Sequence, residues 1–141
     1  MSPDPSAPGN QRRWLILIVE DDWLIAIDLV GTLEEHGFEV LGPAPSVAVA
    51  LQLIEEQSPD AAVLDVNLGH ELVTPVARRL CGRGVPFVLA SGCTPADLAS
   101  DTLLKAATNL GKPTSPSGLV AALNELIGHA GGTTEAGEGR P

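Results

Sequence analysis

Residues 14–36 read WLILIVEDDWLIAIDLVGTLEEH, and the architecture turns on them. Trp14–Val19 is an unbroken apolar run with β-branched residues, short enough for a buried strand. Glu20, Asp21 and Asp22 interrupt it. From Trp23 to His36 the spacing changes. Ile25, Leu29 and Leu33 recur at i, i+4 and i+8, which predicts a helix with one apolar face. Gly37 follows as the expected residue just past the helix end.

The rest of the chain repeats this alternation. Phe38–Gly42 predicts a second strand, ended by Pro43 and Pro45. Ser46 suits the N-cap of a helix to Gln57, with Val47, Ala50, Leu51 and Ile54 on one face. Asp60–Val66 is a third strand. A loop through Gly69 leads to a helix from Thr74 to Gly82, with Thr74 as cap and Pro75 in its first turn. Val85–Ala90 is a fourth strand, and Thr94–Asp97 resembles a capping box opening a short helix. Ala107–Leu110 is a weak fifth strand, and Ser115–Pro116 opens a last helix to Ile127. Apolar strands alternating with helices predict an α/β fold: a doubly wound, flavodoxin-like five-stranded parallel sheet, (βα)5, in strand order 2-1-3-4-5. The folded domain is expected over residues 13–128. Residues 1–12 read as a disordered leader and 129–141 as a disordered tail.

Composition narrows the function. Hydrophobic residues make up 44% of the chain and charged residues 18%, enough for a real core. The net charge of −10 makes nucleic acid or an anionic membrane a poor partner, and suits a cation or a basic surface. No apolar run approaches the roughly 18–20 residues of a membrane span. Cys81 and Cys93 have neither metal spacing nor a disulfide framework, and read as buried or half-buried thiols. A cytoplasmic protein is expected, with no nucleic-acid and no membrane partner. The basic cluster Arg78, Arg79 and Arg83 reads as a solvated helix face. Trp23 reads as a core or half-core helix position, with an exposed partner contact as the alternative.

A doubly wound sheet places its site at the carboxyl ends of its strands. The first strand ends in Glu20–Asp21, the third in Asp65 and the fourth in Ser91, and the fifth ends just before Lys112. Taken singly, these are ordinary loop and cap residues. Together they flank one crevice. Three carboxylates at one point repel unless a cation sits among them, and hard oxygen ligands at a wet crevice favour Mg²⁺. Asn67 could add its backbone carbonyl. One carboxylate could then act as a nucleophile toward phosphorus, with Lys112 and the Ser91 hydroxyl on phosphoryl oxygens.

The motifs VEDD (Val19–Asp22), VLDVN (Val63–Asn67), LASG (Leu89–Gly92) and GKP (Gly111–Pro113) stand in order on these strands. In this the chain resembles the receiver domain of bacterial two-component response regulators, of the stand-alone, single-domain type, over residues 14–128. VPFVLASG also resembles the PFxFATG subgroup. The resemblance implies Asp65 as the phosphoacceptor. It also implies Glu20 and Asp21 as the acidic metal pair, Ser91 as the hydroxyl residue, Lys112 as the phosphate-contacting lysine and a cis Lys112–Pro113 bond. Mg²⁺ is the implied cofactor, and a histidine kinase or histidine phosphotransfer protein the implied partner. The chain would assist its own phosphorylation and dephosphorylation rather than act as an enzyme, as a monomer or weak homodimer. No output domain fits in residues 129–141, so output is expected by protein contact or onward phosphotransfer. Three features depart from the family. Asn109 stands where a switch aromatic is usual, Ser91 replaces threonine, and the interval from Asp65 to Ser91 is short. A binding module with weak or no phosphorylation-driven switching is the alternative reading.

Overall fold

The computed structural model describes residues 13–93, 97–98 and 101–139, and for 129–139 the backbone only. The elements in chain order are β1 (Leu15–Val19), α1 (Trp23–Glu35), β2 (Glu39–Ala44), α2 (Val47–Glu56) and β3 (Ala61–Leu64). A small hairpin follows, β4 (Asn67–Leu68) and β5 (Glu71–Leu72), then α3 (Thr74–Gly82), β6 (Phe87–Leu89), α4 (Thr102–Ala106) and α5 (Pro116–Gly139). The main sheet is parallel, in the order β2-β1-β3-β6.

Side-chain alternation explains the two layers of helices. Ile16 and Ile18 of β1 point into a core shared with Leu29 and Leu33 of α1 and Leu119 and Leu123 of α5. Leu17 and Val19 point the other way, into a core with Ile54 of α2, Leu80 of α3 and Leu104 of α4. A strand buried on both faces must be apolar at every position, as LILIV is.

Several expectations are corrected. The fifth strand shrinks to one parallel bridge, Asn109 beside Leu89, so the sheet proper has four strands. Chain order places that bridge where the fifth strand was expected, and two hydrogen bonds hold it: Leu89 N to Thr108 O and Leu110 N to Leu89 O, each 2.8 Å. Lys105 and Ala106, just before it, belong to α4. The second strand does not stop at Pro43 but runs to Ala44. It lies at the sheet edge and its register with β1 shifts between Leu17 and Val19, so a residue without an amide hydrogen is tolerated there. Both Gly42–Pro43 and Lys112–Pro113 are cis.

Thr74 does not cap α3. Val73 holds the cap position without a side-chain bond, and the Thr74 hydroxyl donates to Asp101 Oδ2 at 2.6 Å. The capping box expected at Thr94–Asp97 falls largely outside the described residues, as does the leader at 1–12. The backbone of residues 129–139, read as tail, is helical and ends α5. Cys81 is exposed rather than buried, and both cysteines are free.

Candidate functional site

The parallel register brings the site together. Val19 pairs with Leu64, and Leu64 with Leu89. One step further along, Glu20 and Asp65 lie side by side, fixed by Glu20 N to Ala44 O (3.0 Å) and Asp65 N to Val19 O (2.8 Å). Ala90 N donates to Leu64 O (2.9 Å), which sets Ser91 beyond the end of β6. Asp65 and Ser91 therefore reach one open pocket with Asp21, Asp22, Asn67, Gly69, Gly92, Cys93, Asp97 and Lys112.

Glu20, Asp65 and Ser91 are the buried polar residues among those described. Polar groups held in a core need partners, and Lys112 supplies one. Its Nζ lies 3.1 Å from Asp65 Oδ2, 3.2 Å from Glu20 Oε1 and 3.5 Å from Glu20 Oε2. Glu20 Oε2 also accepts from the Asp22 amide at 2.9 Å. Glu20 Oε1 is buried and makes no hydrogen bond, despite the nearby ammonium. Burial, with the charge of Asp65 added, pushes the Glu20 carboxyl up to about 7 against the pull of the Asp22 amide and Lys112. Burial acts against the Lys112 charge, but the hydrogen bonds and charges of Asp65 and Glu20 outweigh it and hold the ammonium above the usual lysine range.

Carboxylate oxygens of Glu20, Asp21 and Asp65 lie within 4.8 Å of one another. An orphaned buried oxygen beside two more carboxylates is the donor chemistry of a small hard cation, so the residues fit one. Asn67 lines the same pocket, and its side-chain nitrogen lies 3.2 Å from Cys93 Sγ.

The structure settles details here that the sequence left open or did not signal. Asp22, which the sequence marks only as part of the acidic break, is the N-cap of α1, accepting from the Leu24 and Ile25 amides at 3.0 and 3.3 Å. Trp23 is 65% exposed, as in the alternative reading and not as a core or half-core position, with Leu24 and Ile27 also exposed. The periodicity of α1 fixes its buried stripe but not how far its first turn projects from the sheet. Asn109 bonds the segments on either side of the pocket, which no spacing signal reveals. Arg79 and Arg83, read as a solvated face, both pair with Glu55 of α2.

Residues 16–124 match the family model of the response regulator receiver domain. The transcriptional regulatory protein PdtaR of Mycobacterium tuberculosis is 31% identical over 114 residues, covering 79% of this chain and 56% of that protein. The chain thus spans about half the length of that relative. SdrG of Sphingomonas melonis is 41% identical with a TM-score of 0.70, over 82% of this chain and 97% of SdrG. A CheY-like receiver of Methanospirillum hungatei superposes with a TM-score of 0.78 at 23% identity, over 86% of this chain and 99% of that one. Among the described residues no helix is long and apolar enough to cross a membrane. With its parallel sheet and its acidic pocket at the carboxyl edge, the chain belongs to the response regulator receiver domain family.

Proposed function

We propose that the chain is a phosphoacceptor of a two-component or phosphorelay system, taking its phosphoryl group on Asp65 from a histidine kinase or histidine phosphotransfer protein. The observation that carries this reading is the convergence of Asp21, Asp65, Ser91 and Lys112 on one pocket, with Glu20 buried behind it against Asp65 and Lys112. An Asp65 carboxylate oxygen attacks phosphorus; the O–P bond forms as the N–P bond of phosphohistidine breaks, and its electron pair returns to the imidazole nitrogen. Lys112 Nζ, already on Asp65, meets one phosphoryl oxygen. Ser91 Oγ accepts from the Cys93 amide at 3.1 Å, which leaves its proton to donate to a second. Glu20, Asp21, Asp65 and the Asn67 carbonyl would hold Mg²⁺, which when bound neutralises charge on the transferring group. The donor's domain has an apolar contact close by. Trp23, Leu24 and Ile27 are exposed on the first turns of α1, and Leu24 shares a groove with Lys112, Pro113 and Thr114. Output goes by protein contact or onward phosphotransfer, from a cytoplasmic chain.

Asn109 supports a second reading. A side chain tied by hydrogen bonds cannot act as a rotating ring, and a binding module with little phosphorylation-driven switching follows from that. One experiment separates the two. Incubated with acetyl phosphate and Mg²⁺, the purified chain should gain one phosphoryl group that Asp65→Ala abolishes. A wild-type chain that takes up no label would favour the binding module.

A further inference from the structure

The segment Ser91–Cys93 leaves β6 and forms one wall of the pocket, and Lys112, next to Gly111, lines another side. One side chain joins them. Asn109 Oδ1 accepts from the Ser91 amide at 3.2 Å and from the Gly111 amide at 3.0 Å. Its Nδ2 donates to the Cys93 carbonyl at 3.2 Å. These partners fix the orientation of the amide. Flipped, it would set N–H against N–H and carbonyl against carbonyl. The backbone of Asn109 is anchored as well, by its bridge to Leu89. Within the wall itself, the Cys93 amide donates to Ser91 Oγ at 3.1 Å. Asn109, Cys93 and Ser91 thus close a ring of hydrogen bonds, and that ring sets the direction left for the Ser91 proton.

Resting on the reading of Asp65 as phosphoacceptor, we propose that Asn109 is a positioning residue for phosphoryl transfer. It holds the Ser91 hydroxyl and, through Gly111, the turn that carries Lys112 in place before the phosphoryl group arrives. A donor fixed in advance needs no rearrangement as charge develops on the transferring oxygens. A phenylalanine at this position could make none of the three bonds.

The test is a double-substitution cycle on the full chain, reading the initial rate of Asp65 labelling by acetyl phosphate at saturating Mg²⁺. Asn109→Ala and Ser91→Ala should each slow labelling about tenfold, the scale of one transition-state hydrogen bond lost or misdirected. The double variant should be only about two- to threefold slower than either, because both changes disable the same hydroxyl. A combined loss of about a hundredfold marks independent sites and overturns the proposal. The half-saturating Mg²⁺ concentration should not move in Asn109→Ala, since Asn109 bonds none of the three clustered carboxylates. A clear shift there means a general loosening of the pocket and also overturns it. Asn109→Asp keeps the shape and both accepted bonds, but sets a carboxylate oxygen against the Cys93 carbonyl in place of the donated bond. Should the alanine variant fail to fold, this variant must show the same non-additivity with Ser91→Ala. Wild type left unlabelled refutes the phosphoacceptor reading. Wild type labelled, with Asn109→Ala at the same rate, refutes positioning alone.

Discussion

Glu20 holds a carboxyl in a place that disfavours its charge. Its carboxyl is buried beside Asp65, has one oxygen without a hydrogen bond, and is pushed from 4.5 to about 7. A carboxyl raised in the folded state contributes stability that is fully present below about pH 4.5 and is lost as pH rises through about 7. The metal-free protein should therefore lose stability across that window. Glu20→Gln removes the titrating group while keeping the shape. In EDTA at pH 7.5 it should be more stable than wild type by on the order of 1–2 kcal/mol, less than the full shift because the buried glutamine amide must itself find partners beside the Lys112 ammonium. Thermal melting against pH checks this; a variant that melts lower, or keeps the wild-type slope, sinks it. At this scale the sequence was most readable where a polar residue broke an apolar run, as Glu20, Asp65 and Ser91 do. It was silent on Asn109 because an amide's partners here are backbone groups up to 18 residues away, which carry no side-chain signature.

At the scale of elements, two devices set the edges of the fold. Gly42 in β2 sits at φ +100°, and a Cβ there would come within 2.8 Å of Ala44 N and 3.0 Å of Ile18 O, both backbone atoms that cannot swing aside. Gly42→Ala should cost about 2–3 kcal/mol, read as a lower urea midpoint with unchanged m-value. A neutral result would show that the edge strand re-registers freely. Asp101 is the second device. It caps α4 through Leu104 N at 3.1 Å and receives the Thr74 hydroxyl from α3. Burial opposes its charge, but Thr74, the α4 amides and Arg78 outweigh it and hold the carboxyl below the usual range. The cap is thus fully present above the ordinary carboxylate range and lost as pH falls through the lowered value. Asp101→Ala should cost about 1 kcal/mol at pH 7. Amide exchange in Thr102–Ala106 should rise in that variant, and uniform protection would contradict the capping role. The strands and long helices were legible because hydrophobic period is a strong local signal. The β4–β5 hairpin was not, and the short helix and weak strand expected around α4 and Asn109 take other bounds. Each is too short for a period, and long-range bonds such as Thr74 to Asp101 decide them.

Over the whole molecule, the sequence made the doubly wound order readable because alternating elements admit few topologies. It left the net charge of −10 open between a diffuse acidic surface and a cation site. The structure supplies the means to separate these. Repulsion spread over the surface is screened by any salt, within about 10 Å at 0.1 M. Three carboxylates within 4.8 Å of one another, one with an oxygen that makes no hydrogen bond, could instead hold a divalent ion at a particular place. Binding to the folded state alone stabilises by mass action, about 2.7 kcal/mol at a hundredfold excess over Kd, or roughly 5–10 °C of melting temperature for a domain of this size. Titration with MgCl₂ should therefore raise the melting temperature well beyond NaCl at matched ionic strength. Asp21→Asn removes one charge from the cluster while touching neither Lys112 nor the core. It should abolish most of the Mg²⁺ increment and leave the NaCl response as in wild type. Equal responses to the two salts in the wild-type chain would assign the acidity to the surface and remove the metal from the mechanism.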